Sequence, residues 1–478
     1  MRIGSIINGK ERKESNRDKI EVQNPFHDEV VAELALATRV DVDEAVRNSF
    51  DTFHGTMKGM PAYRRAAILR KAADLLEERM EDFAQTITVE AGKPITFSRA
   101  EVERSVQVIR FASELAKNIT GEVIPMDAAI GGENRIGMIK RQPLGVVAAI
   151  TPFNFPLNLS LHKIAPALAA GNTIVFKPAE KTPVSAYKLV QLFHDAGLPE
   201  GVLNLLIGTG KETGEPLTTH DKVHKITFTG SLPVGREIRK SADFKKVTLE
   251  LGSNSPNIIF EDANINEAVD ALVKGAFSFS GQVCISAQRI YVQKEIYDQF
   301  LQQFIQETEQ LSVGDPKETS TDIGPMITEE EAKRAKLWID DAVEKGAVIQ
   351  TGGDRDGTIL KPTIMTDVDR NMKVIAKEVF APIVSVIPFD TEDEVVGYAN
   401  DSIYGLQAGV FTQDIDRALR VADQLETGGV WINEVSTYRQ DNHPYGGVKQ
   451  SGLGREGVKY AIDEMTEMKF IGVKLNGK

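Results

Sequence analysis

The sequence predicts an α/β protein with two lobes. In the first lobe, β-branched runs at Gly145–Ile150, Asn172–Phe176 and Lys225–Thr229 each give way to a proline or a glycine. Helical stretches lie between these runs, including Ser185–Ala196 and Pro233–Ser241. Apolar strands that alternate with amphipathic helices indicate βαβ units and a parallel sheet that is covered on both faces.

A second alternating block begins near Asn257–Phe260. It continues through a helix around Ile265–Ala276, a strand at Arg289–Val292 and a long helix from Glu295 to Gln310. The chain has 478 residues, and single hydrophobic cores stop growing near about 250–300 residues. Two α/β lobes therefore account for both the pattern and the length.

Two further segments fit neither lobe. Asn134–Arg141 and Met468–Leu475 alternate apolar and polar residues in the manner of exposed strands. Exposed edge strands invite pairing with another chain, so we predict that both segments are oligomerisation strands. The alternative is a plain edge ribbon on a monomer.

The composition excludes several classes of partner. The formal net charge is −13 and the isoelectric point is about 5.3, and such a field repels phosphate backbones and anionic lipid. No apolar run approaches the roughly 20 residues of a membrane span, and the N-terminal segment lacks the apolar core of a signal peptide. We therefore expect a cytoplasmic protein with no nucleic-acid and no membrane partner.

Cys284 is the single cysteine of the chain, which rules out an intramolecular disulfide and a cysteine-based metal cluster. It lies in the segment FSFSGQVCIS at 277–286, after a predicted helix and before a predicted strand. Backbone dipoles at such a junction favour the thiolate, which is the reactive form. A lone cysteine is as often an inert small hydrophobe, so the local sequence leaves nucleophile and packing residue open.

Eight short segments occur in an order and spacing that resemble the aldehyde dehydrogenase superfamily along almost the whole chain. They are TPFNFP at 151–156, FKPAE at 176–180, FTGS at 228–231, LELG at 249–252, GQVC at 281–284, KEVF at 377–380, WIN at 431–433, and PYGG at 444–447 with SGLG at 451–454. Each segment alone is a weak signal, but eight in register are specific. The tail at 457–465 and the loop at 439–442 look most similar to the branch of lactaldehyde and non-phosphorylating glyceraldehyde-3-phosphate dehydrogenases.

The resemblance implies a Rossmann-like cofactor domain, an α/β catalytic domain and a small β oligomerisation element. We expect the NAD(P)-binding domain at 1–122 and 145–252 and the catalytic domain at 253–440. The oligomerisation strands are expected at 123–144 and 459–478, in a homodimer or homotetramer.

The catalytic residues that the resemblance implies suit aldehyde oxidation. Cys284 attacks the carbonyl, and the Asn154 amide with the Cys284 backbone N–H stabilises the oxyanion; losing one such donor typically costs about 10²–10³ in rate. Glu250 matches the base that activates water for thioester hydrolysis. Its place inside an apolar strand predicts desolvation and a raised pKa, as a base for water requires. Lys163 and Glu456 match groups that relay the proton.

The resemblance also implies an NAD(P) site. The matching residues are Thr151, Phe153, Lys177, Glu180, Gly210, Gly230, Ser231, Glu378 and Phe380. A carboxylate at Glu180 accepts from the ribose hydroxyls and repels a 2′-phosphate, so NAD is favoured, with NADP possible because Lys177 is near. Gly230 and Ser231 open a helix whose free N–H groups suit a pyrophosphate. The glycines at 208–214 lack the spacing of a dinucleotide fingerprint and predict a turn beside the adenine.

Three features depart from the pattern or distract from it. Ser253 and Ala381 stand where glycines are usual, which puts the geometry of the cofactor loops in doubt. His220 and His224 are four residues apart and could suggest a metal site. The family uses no catalytic metal, so a solvated helix end is the better interpretation and no metal is expected.

Two arginines bear on the substrate. Arg104 lies in a helix that lines the aldehyde entrance in the family, and Arg439 lies in the loop beside the site. Guanidinium groups suit anionic substrates through paired N–H donors, although ordinary surface salt bridges are the alternative. The phosphate-handling branch tends to have arginine just before the cysteine, where this chain has Val283.

We therefore predict NAD(P)-dependent oxidation of a small hydroxy- or anion-bearing aldehyde to the acid. Examples are lactaldehyde, glyceraldehyde and a phospho- or sulfo-aldehyde. The alternatives are succinate semialdehyde or simple aliphatic aldehydes, and then a CoA-acylating enzyme or a non-catalytic homologue. Members that transfer the acyl group to CoA generally lack the glutamate that Glu250 matches, and a relic would be expected to lose Cys284, Asn154 or Glu250.

Overall fold

The computed structural model describes residues 1–476. The part up to residue 252 begins with five short strands followed by four helices, and strands alternate with helices from residue 146 to residue 250. The strands of this part are β1 (Arg2–Ile3), β2 (Ser5–Ile7), β3 (Lys10–Arg12), β4 (Lys19–Gln23), β5 (Val30–Ala35), β6 (Glu122–Ile124), β7 (Arg135–Pro143), β8 (Val146–Ile150), β9 (Thr173–Lys177), β10 (Leu203–Leu205), β11 (Val223–Thr229) and β12 (Lys246–Glu250). The helices are α1 (Arg39–Gly55), α2 (Ala62–Glu78), α3 (Met80–Ala91), α4 (Ile95–Leu115), α5 (Asn158–Ala170), α6 (Pro183–Asp195), α7 (Glu215–Thr219) and α8 (Leu232–Ser241).

The alternation continues beyond residue 252. The strands there are β13 (Pro256–Ile259), β14 (Arg289–Gln293), β15 (Val348–Thr351), β16 (Arg355–Asp356), β17 (Ile359–Leu360), β18 (Thr363–Thr366), β19 (Ile383–Phe389), β20 (Gln407–Phe411), β21 (Gly429–Ile432), β22 (Gly452–Leu453) and β23 (Thr466–Lys474). The helices are α9 (Ile265–Phe277), α10 (Tyr297–Glu309), α11 (Glu329–Glu344), α12 (Lys373–Ala376), α13 (Glu392–Asn400), α14 (Ile415–Gln424) and α15 (Val458–Glu464).

The first large sheet has the strand order β22-β12-β11-β8-β9-β10-β2-β3. Its five central strands run parallel, and the register pairs Ile150 with Lys177 and Thr229 with Glu250. Parallel strands end at the same edge of a sheet, and ligands of such sheets bind outside the carboxyl ends. This register therefore collects the ends of β8, β9, β11 and β12 at one edge.

The second large sheet has the order β15-β18-β19-β14-β13-β20-β21. All its pairings are parallel except that of β15 with β18. Two largely parallel sheets with helices between their strands confirm the predicted α/β class. None of the helices in residues 1–476 is long and apolar enough to cross a membrane.

A third sheet consists of β23, β7 and β6 in that order. The two segments predicted as exposed strands pair with each other, from Thr466 with Pro143 to Lys474 with Arg135. Large apolar side chains of this sheet, such as Met138, Phe470 and Val473, are exposed. Residues 477–478 of the predicted oligomerisation segment lie outside the described residues.

Helix α5 connects the first sheet to the site. All of its residues are buried, and the carboxylate of Glu101 accepts from the backbone N–H groups of Leu157 and Asn158 at 3.0 and 3.1 Å. A negative charge at a helix N-terminus satisfies unpaired donors and complements the helix dipole. The buried Lys93 ammonium pairs with Glu101 and lies 3.8 Å from the ring centroid of Phe155. This arrangement fixes the segment that precedes α5.

Candidate active site

Cys284 follows a strained turn. Phe279, Ser280 and Gly281 have φ angles of 48°, 54° and 66°, and left-handed backbone is costly for residues other than glycine. The Ser280 hydroxyl donates to the Gly324 carbonyl at 2.7 Å, and a Cβ at Gly281 would clash with the Ala381 carbonyl. The turn is thus held from both sides, and it presents the sulfur at the carboxyl edge of the first sheet.

Asn154 is buried beside this turn. Its side-chain Nδ2 donates to the Gln282 carbonyl at 2.9 Å. An amide group carries two N–H donors, so one remains for a substrate oxyanion. Lys93 and Glu101 contact the segment between Asn154 and α5, and these contacts keep the Asn154 amide in place. Asn154 therefore remains a candidate for the oxyanion role that the resemblance implies.

Glu250 ends β12 and is 2% exposed. Neither of its carboxylate oxygens has a hydrogen-bond partner among the described residues. Burial, with the neighbouring charge of Glu456, raises the pKa of Glu250 well above its ordinary value. The expected desolvation of this carboxyl is therefore present, and a base of raised pKa suits the activation of water near neutral pH.

Lys163 and Glu456 form a buried ion pair close to Glu250. The Lys163 ammonium lies 2.6 Å from Glu456 Oε1 and donates to the Thr229 hydroxyl at 2.7 Å. Burial alone would raise the pKa of Glu456, but the charges of Lys163 and Arg439 outweigh it and hold this pKa well below its ordinary value. Such a carboxyl stays ionised at neutral pH. The contacts thus favour an electrostatic role for Glu456 over the predicted proton relay.

The two predicted substrate arginines lie in different surroundings. Arg439 is only 7% exposed, donates to Glu456 at 3.2 Å, and stacks with its guanidinium 3.6 Å from the ring centroid of Tyr445. Its Nε is buried without a partner among the described residues. Arg104 is 33% exposed and donates to both oxygens of Asp441, which His162 also contacts. Arg439 therefore retains an unpaired donor, whereas the charge of Arg104 is largely neutralised.

Tyr445 is a contact of the cysteine that the sequence does not reveal. Its hydroxyl oxygen lies 3.2 Å from Cys284 Sγ. In the sequence this residue is only one position of the PYGG segment at 444–447, and no local feature gives it a role. The nearness of residues 284 and 445 arises from long-range packing, which short motifs do not encode.

The expected preference of Cys284 for the thiolate is not what the surroundings favour. Burial raises the pKa of the Cys284 thiol to about 11. The Tyr445 hydrogen bond and the charge of Arg439 oppose this rise, while the carboxylates of Glu378 and Glu250 add to it. Desolvation therefore outweighs the backbone dipoles on which the prediction was based.

A cleft of about 530 Å³ runs from Cys284 along the edge of the first sheet. The predicted residues that line it are Phe153, Asn154, Gly230, Ser231, Glu250, Cys284, Glu378 and Phe380. Three lining residues without a sequence signal come from α11, namely Glu331, Arg334 and Trp338. The cleft thus joins the candidate catalytic residues to most of the candidate cofactor residues.

Glu378 is held at the wall of the cleft by tight backbone packing. It accepts from the Ser253 N–H at 3.3 Å, and a Cβ at Gly252 would clash with its carboxylate. Burial raises the pKa of Glu378 to about 7. Phe380 has a φ of 50° and meets the Phe153 ring edge-on at 6.0 Å. Ser253 therefore supplies this contact through its backbone despite its departure from the usual glycine.

The remaining predicted cofactor residues lie next to the cleft. Lys177 Nζ is 3.3 Å from Glu180 Oε1, and the Thr151 N–H donates to the Lys177 carbonyl at 3.2 Å. Gly210 begins a π-helical turn, Gly210–Gly214, whose last residue packs against the Lys177 side chain. The predicted turn is thus a helical turn, and it lies near the Lys177–Glu180 pair.

The two histidines considered as metal ligands have other partners. His220 Nε2 lies 3.2 Å from Asp43 Oδ1, and His224 Nδ1 accepts from the Val146 N–H at 3.3 Å. Among residues 1–476, no group of three or more His, Cys, Asp or Glu side chains has the arrangement of a metal site. His224 lies within β11 rather than at the helix end that the sequence suggested.

Comparison with known proteins identifies relatives along nearly the full chain. Residues 12–471 match the Aldehyde dehydrogenase family. A 3-sulfolactaldehyde dehydrogenase of Priestia aryabhattai is 48% identical over 99% of this chain and 98% of its own length. A lactaldehyde dehydrogenase of Methanocaldococcus jannaschii is 43% identical over 95% and 97%, respectively.

A solved structure shares the fold. The glyceraldehyde-3-phosphate dehydrogenase GapN of Methanocaldococcus jannaschii, complexed with NADP, superposes with a TM-score of 0.92 at 42% identity. The match covers 96% of this chain and all of the other chain.

Proposed function

Because the chain belongs to the aldehyde dehydrogenase family, we propose that it oxidises a small aldehyde with a hydroxyl or an anionic group to the carboxylic acid. The protein is an NAD(P)-dependent aldehyde dehydrogenase. The observation that supports the substrate class is the buried guanidinium of Arg439 near the Cys284 sulfur, with one donor unpaired. The similar proteins named above act on aldehydes of this kind.

The proposed reaction begins with attack of Cys284 Sγ on the aldehyde carbon. The free Asn154 N–H and the Cys284 backbone N–H stabilise the oxyanion of the thiohemiacetal. When bound, NAD(P) would supply the acceptor for the hydride that this adduct loses. The resulting thioester is cleaved by water, from which Glu250 takes a proton, and the acid departs as the thiol is restored. Because Glu250 activates water, the acyl group is transferred to water rather than to CoA.

The residues around the cleft fit a dinucleotide. The N-cap residue Ser231 makes no side-chain cap, so the first N–H groups of α8 are available for a pyrophosphate. Glu378 and Phe380 are proposed to contact the nicotinamide ribose and ring. Glu180 would hold the adenosine ribose, which favours NAD, and its contact with Lys177 tempers this preference. We propose a cofactor domain at 1–122 and 145–252, which supplies Glu180 and Ser231 to this site, and a catalytic domain at 253–440, which supplies Glu378 and Phe380.

The substrate's distal group is proposed to face Arg439. Hydrogen bonds between a guanidinium and an anion are charge-assisted and stronger than neutral ones. Glu456 neutralises part of the Arg439 charge, but Lys163 shares that carboxylate. We propose that Arg104 contributes less to substrate binding, because its Nε and Nη2 already donate to Asp441.

The third sheet is the proposed site of assembly into a homodimer or homotetramer. Its outer strands, β6 and β23, leave backbone groups unpaired, and apolar side chains such as Phe470 are exposed. Exposed edges of this kind pair with other chains. Light scattering of a Phe470→Lys variant should show a smaller particle than the unaltered protein. The cytoplasmic location stays a prediction from the sequence.

A substrate panel tests the function. Reduced cofactor is measured with 3-sulfolactaldehyde, lactaldehyde, glyceraldehyde 3-phosphate, succinate semialdehyde and propanal, each with and without CoA. We expect turnover without CoA and the highest kcat/KM among the first three aldehydes. Preference for succinate semialdehyde or propanal would overturn the substrate class, and dependence on CoA would overturn hydrolysis.

A further inference from the structure

Tyr445 contacts the reacting atom but does not line the cofactor cleft. Its side chain is buried, and its hydroxyl oxygen lies 3.2 Å from Cys284 Sγ. A buried tyrosine hydroxyl normally has a hydrogen-bond partner. Among the described residues, the partner of this hydroxyl is the sulfur of the proposed nucleophile.

The position of the Tyr445 ring is fixed on two sides. Its backbone exchanges two hydrogen bonds with Glu456, at 3.1 and 2.7 Å. The Arg439 guanidinium lies 3.6 Å from the ring centroid and is itself held by Glu456. A cation over an aromatic face is attracted by the ring's quadrupole, and more strongly when both groups are desolvated. These contacts hold the Tyr445 ring in a fixed position, so that its hydroxyl points at the Cys284 sulfur.

The charged groups around the sulfur determine what this contact does. Glu378 and Glu250 face Cys284 from the cleft and disfavour a thiolate, whereas Arg439 favours it. Burial raises the pKa of Tyr445 well above its ordinary value, and the Cys284 charge adds to this rise. Tyr445 thus keeps its hydroxyl proton throughout the pH range in which the enzyme works. Because a thiolate has no proton, only the tyrosine can donate in that state.

We propose that Tyr445 is a catalytic residue whose hydroxyl donates a hydrogen bond to Cys284 Sγ and stabilises the sulfur as a thiolate. Arg439 is the positioning residue that holds the ring over this contact. The inference rests on the proposed role of Cys284 as nucleophile. It gives a half-buried thiol, whose thiolate form the charges of Glu378 and Glu250 disfavour, a contact that stabilises that form.

Alkylation of the single thiol measures this contact directly. The rate of iodoacetamide labelling is followed by mass spectrometry as a function of pH in the unaltered enzyme and in Tyr445→Phe. We expect the pH midpoint of labelling to rise by about one unit or more in the variant, because hydrogen bonds to charged groups contribute about tenfold or more each. Below the midpoint, labelling should slow by about tenfold.

Tyr438→Phe is the matched control. It makes the same chemical change in the same loop, and the hydroxyl that it removes accepts from Gln440 at 2.9 Å instead of meeting the sulfur. Its labelling midpoint should equal that of the unaltered enzyme. An unchanged midpoint in Tyr445→Phe, or an equal rise in both variants, would overturn the proposal.

A second variant guards against misfolding of the first. Arg439→Lys retains the tyrosine and a positive charge near the sulfur but removes the planar guanidinium that stacks on the Tyr445 ring, and it should also raise the labelling midpoint. The absence of a rise in any folded variant of either residue contradicts the inference. The two assignments fail separately, since turnover by Cys284→Ala would contradict the nucleophile, whereas unchanged labelling contradicts only the role of Tyr445.

Discussion

Replacing Glu250 by Gln should separate the two halves of the reaction. The side chain is buried and its oxygens have no partners among residues 1–476, so an isosteric neutral amide preserves the packing. General bases contribute about 10²–10⁴ in rate, and a base is most effective when its pKa approaches the working pH. Burial moves the pKa of Glu250 in that direction. We therefore expect steady-state turnover to fall by about 10²–10⁴.

Stopped-flow absorbance of the reduced cofactor distinguishes acylation from hydrolysis. In Glu250→Gln, a burst of one reduced cofactor per active site should remain, because attack by Cys284 and hydride loss precede the step that needs the base. Mass spectrometry should then show the acyl group on Cys284. In the unaltered enzyme, turnover should rise with pH until the Glu250 carboxyl is deprotonated.

Glu237→Gln is the control for this change. Glu237 lies on the surface of α8 and contacts only Lys240 there through its side chain, so its variant should retain full turnover. Loss of the burst in Glu250→Gln would refute the restriction of this residue to hydrolysis. Steady-state turnover above a tenth of the original value would refute its role as base.

Three further outcomes are expected. Stoichiometric labelling of Cys284 by iodoacetamide should abolish turnover, and a bound substrate analogue should slow the labelling; activity that survives complete labelling, followed by mass spectrometry, would contradict the nucleophile. Arg439→Met should raise KM for an anionic aldehyde by about ten- to a hundredfold and KM for propanal far less, so equal rises would refute the contact. Glu456→Gln removes a negative charge that raises the pKa of Glu250, so the acidic limb of the pH–rate profile should move to lower pH, and a shift to higher pH would contradict this coupling.

Much of the fold is predictable because each element carries its own pattern. The helix expected around Ile265–Ala276 spans Ile265–Phe277, and the strand expected at Arg289–Val292 spans Arg289–Gln293. The parallel register at the ends of β11 and β12 then follows from the alternation of strands and helices. The pattern does not predict that the chain returns to the first sheet near its C-terminal end. There β22 pairs antiparallel with β12 and places Gly452 opposite Glu250.

The contacts of the site depend on that return. Residues 439–456 come from the end of the chain, yet they supply Arg439, Tyr445 and Glu456 to a centre whose candidate catalytic residues Asn154, Glu250 and Cys284 all precede residue 285. The sequence could nominate Arg439 and Glu456 through resemblance but not their partners. The pairing of Arg104 with Asp441 is likewise a long-range contact.

Three glutamates of the site show why residue type alone could not assign these roles. Among residues 1–476, no cationic side chain pairs with Glu250 or Glu378, and burial raises the pKa of each. Glu456 is equally buried, but Lys163 and Arg439 hold its pKa low. Groups whose surroundings drive their pKa values apart are suited to different tasks. The carboxylate of Glu456 thus holds Lys163 and Arg439 in place, while Glu250, which has no such partner among residues 1–476, remains free to take a proton. These different roles require the Lys163–Glu456 ion pair to persist during turnover.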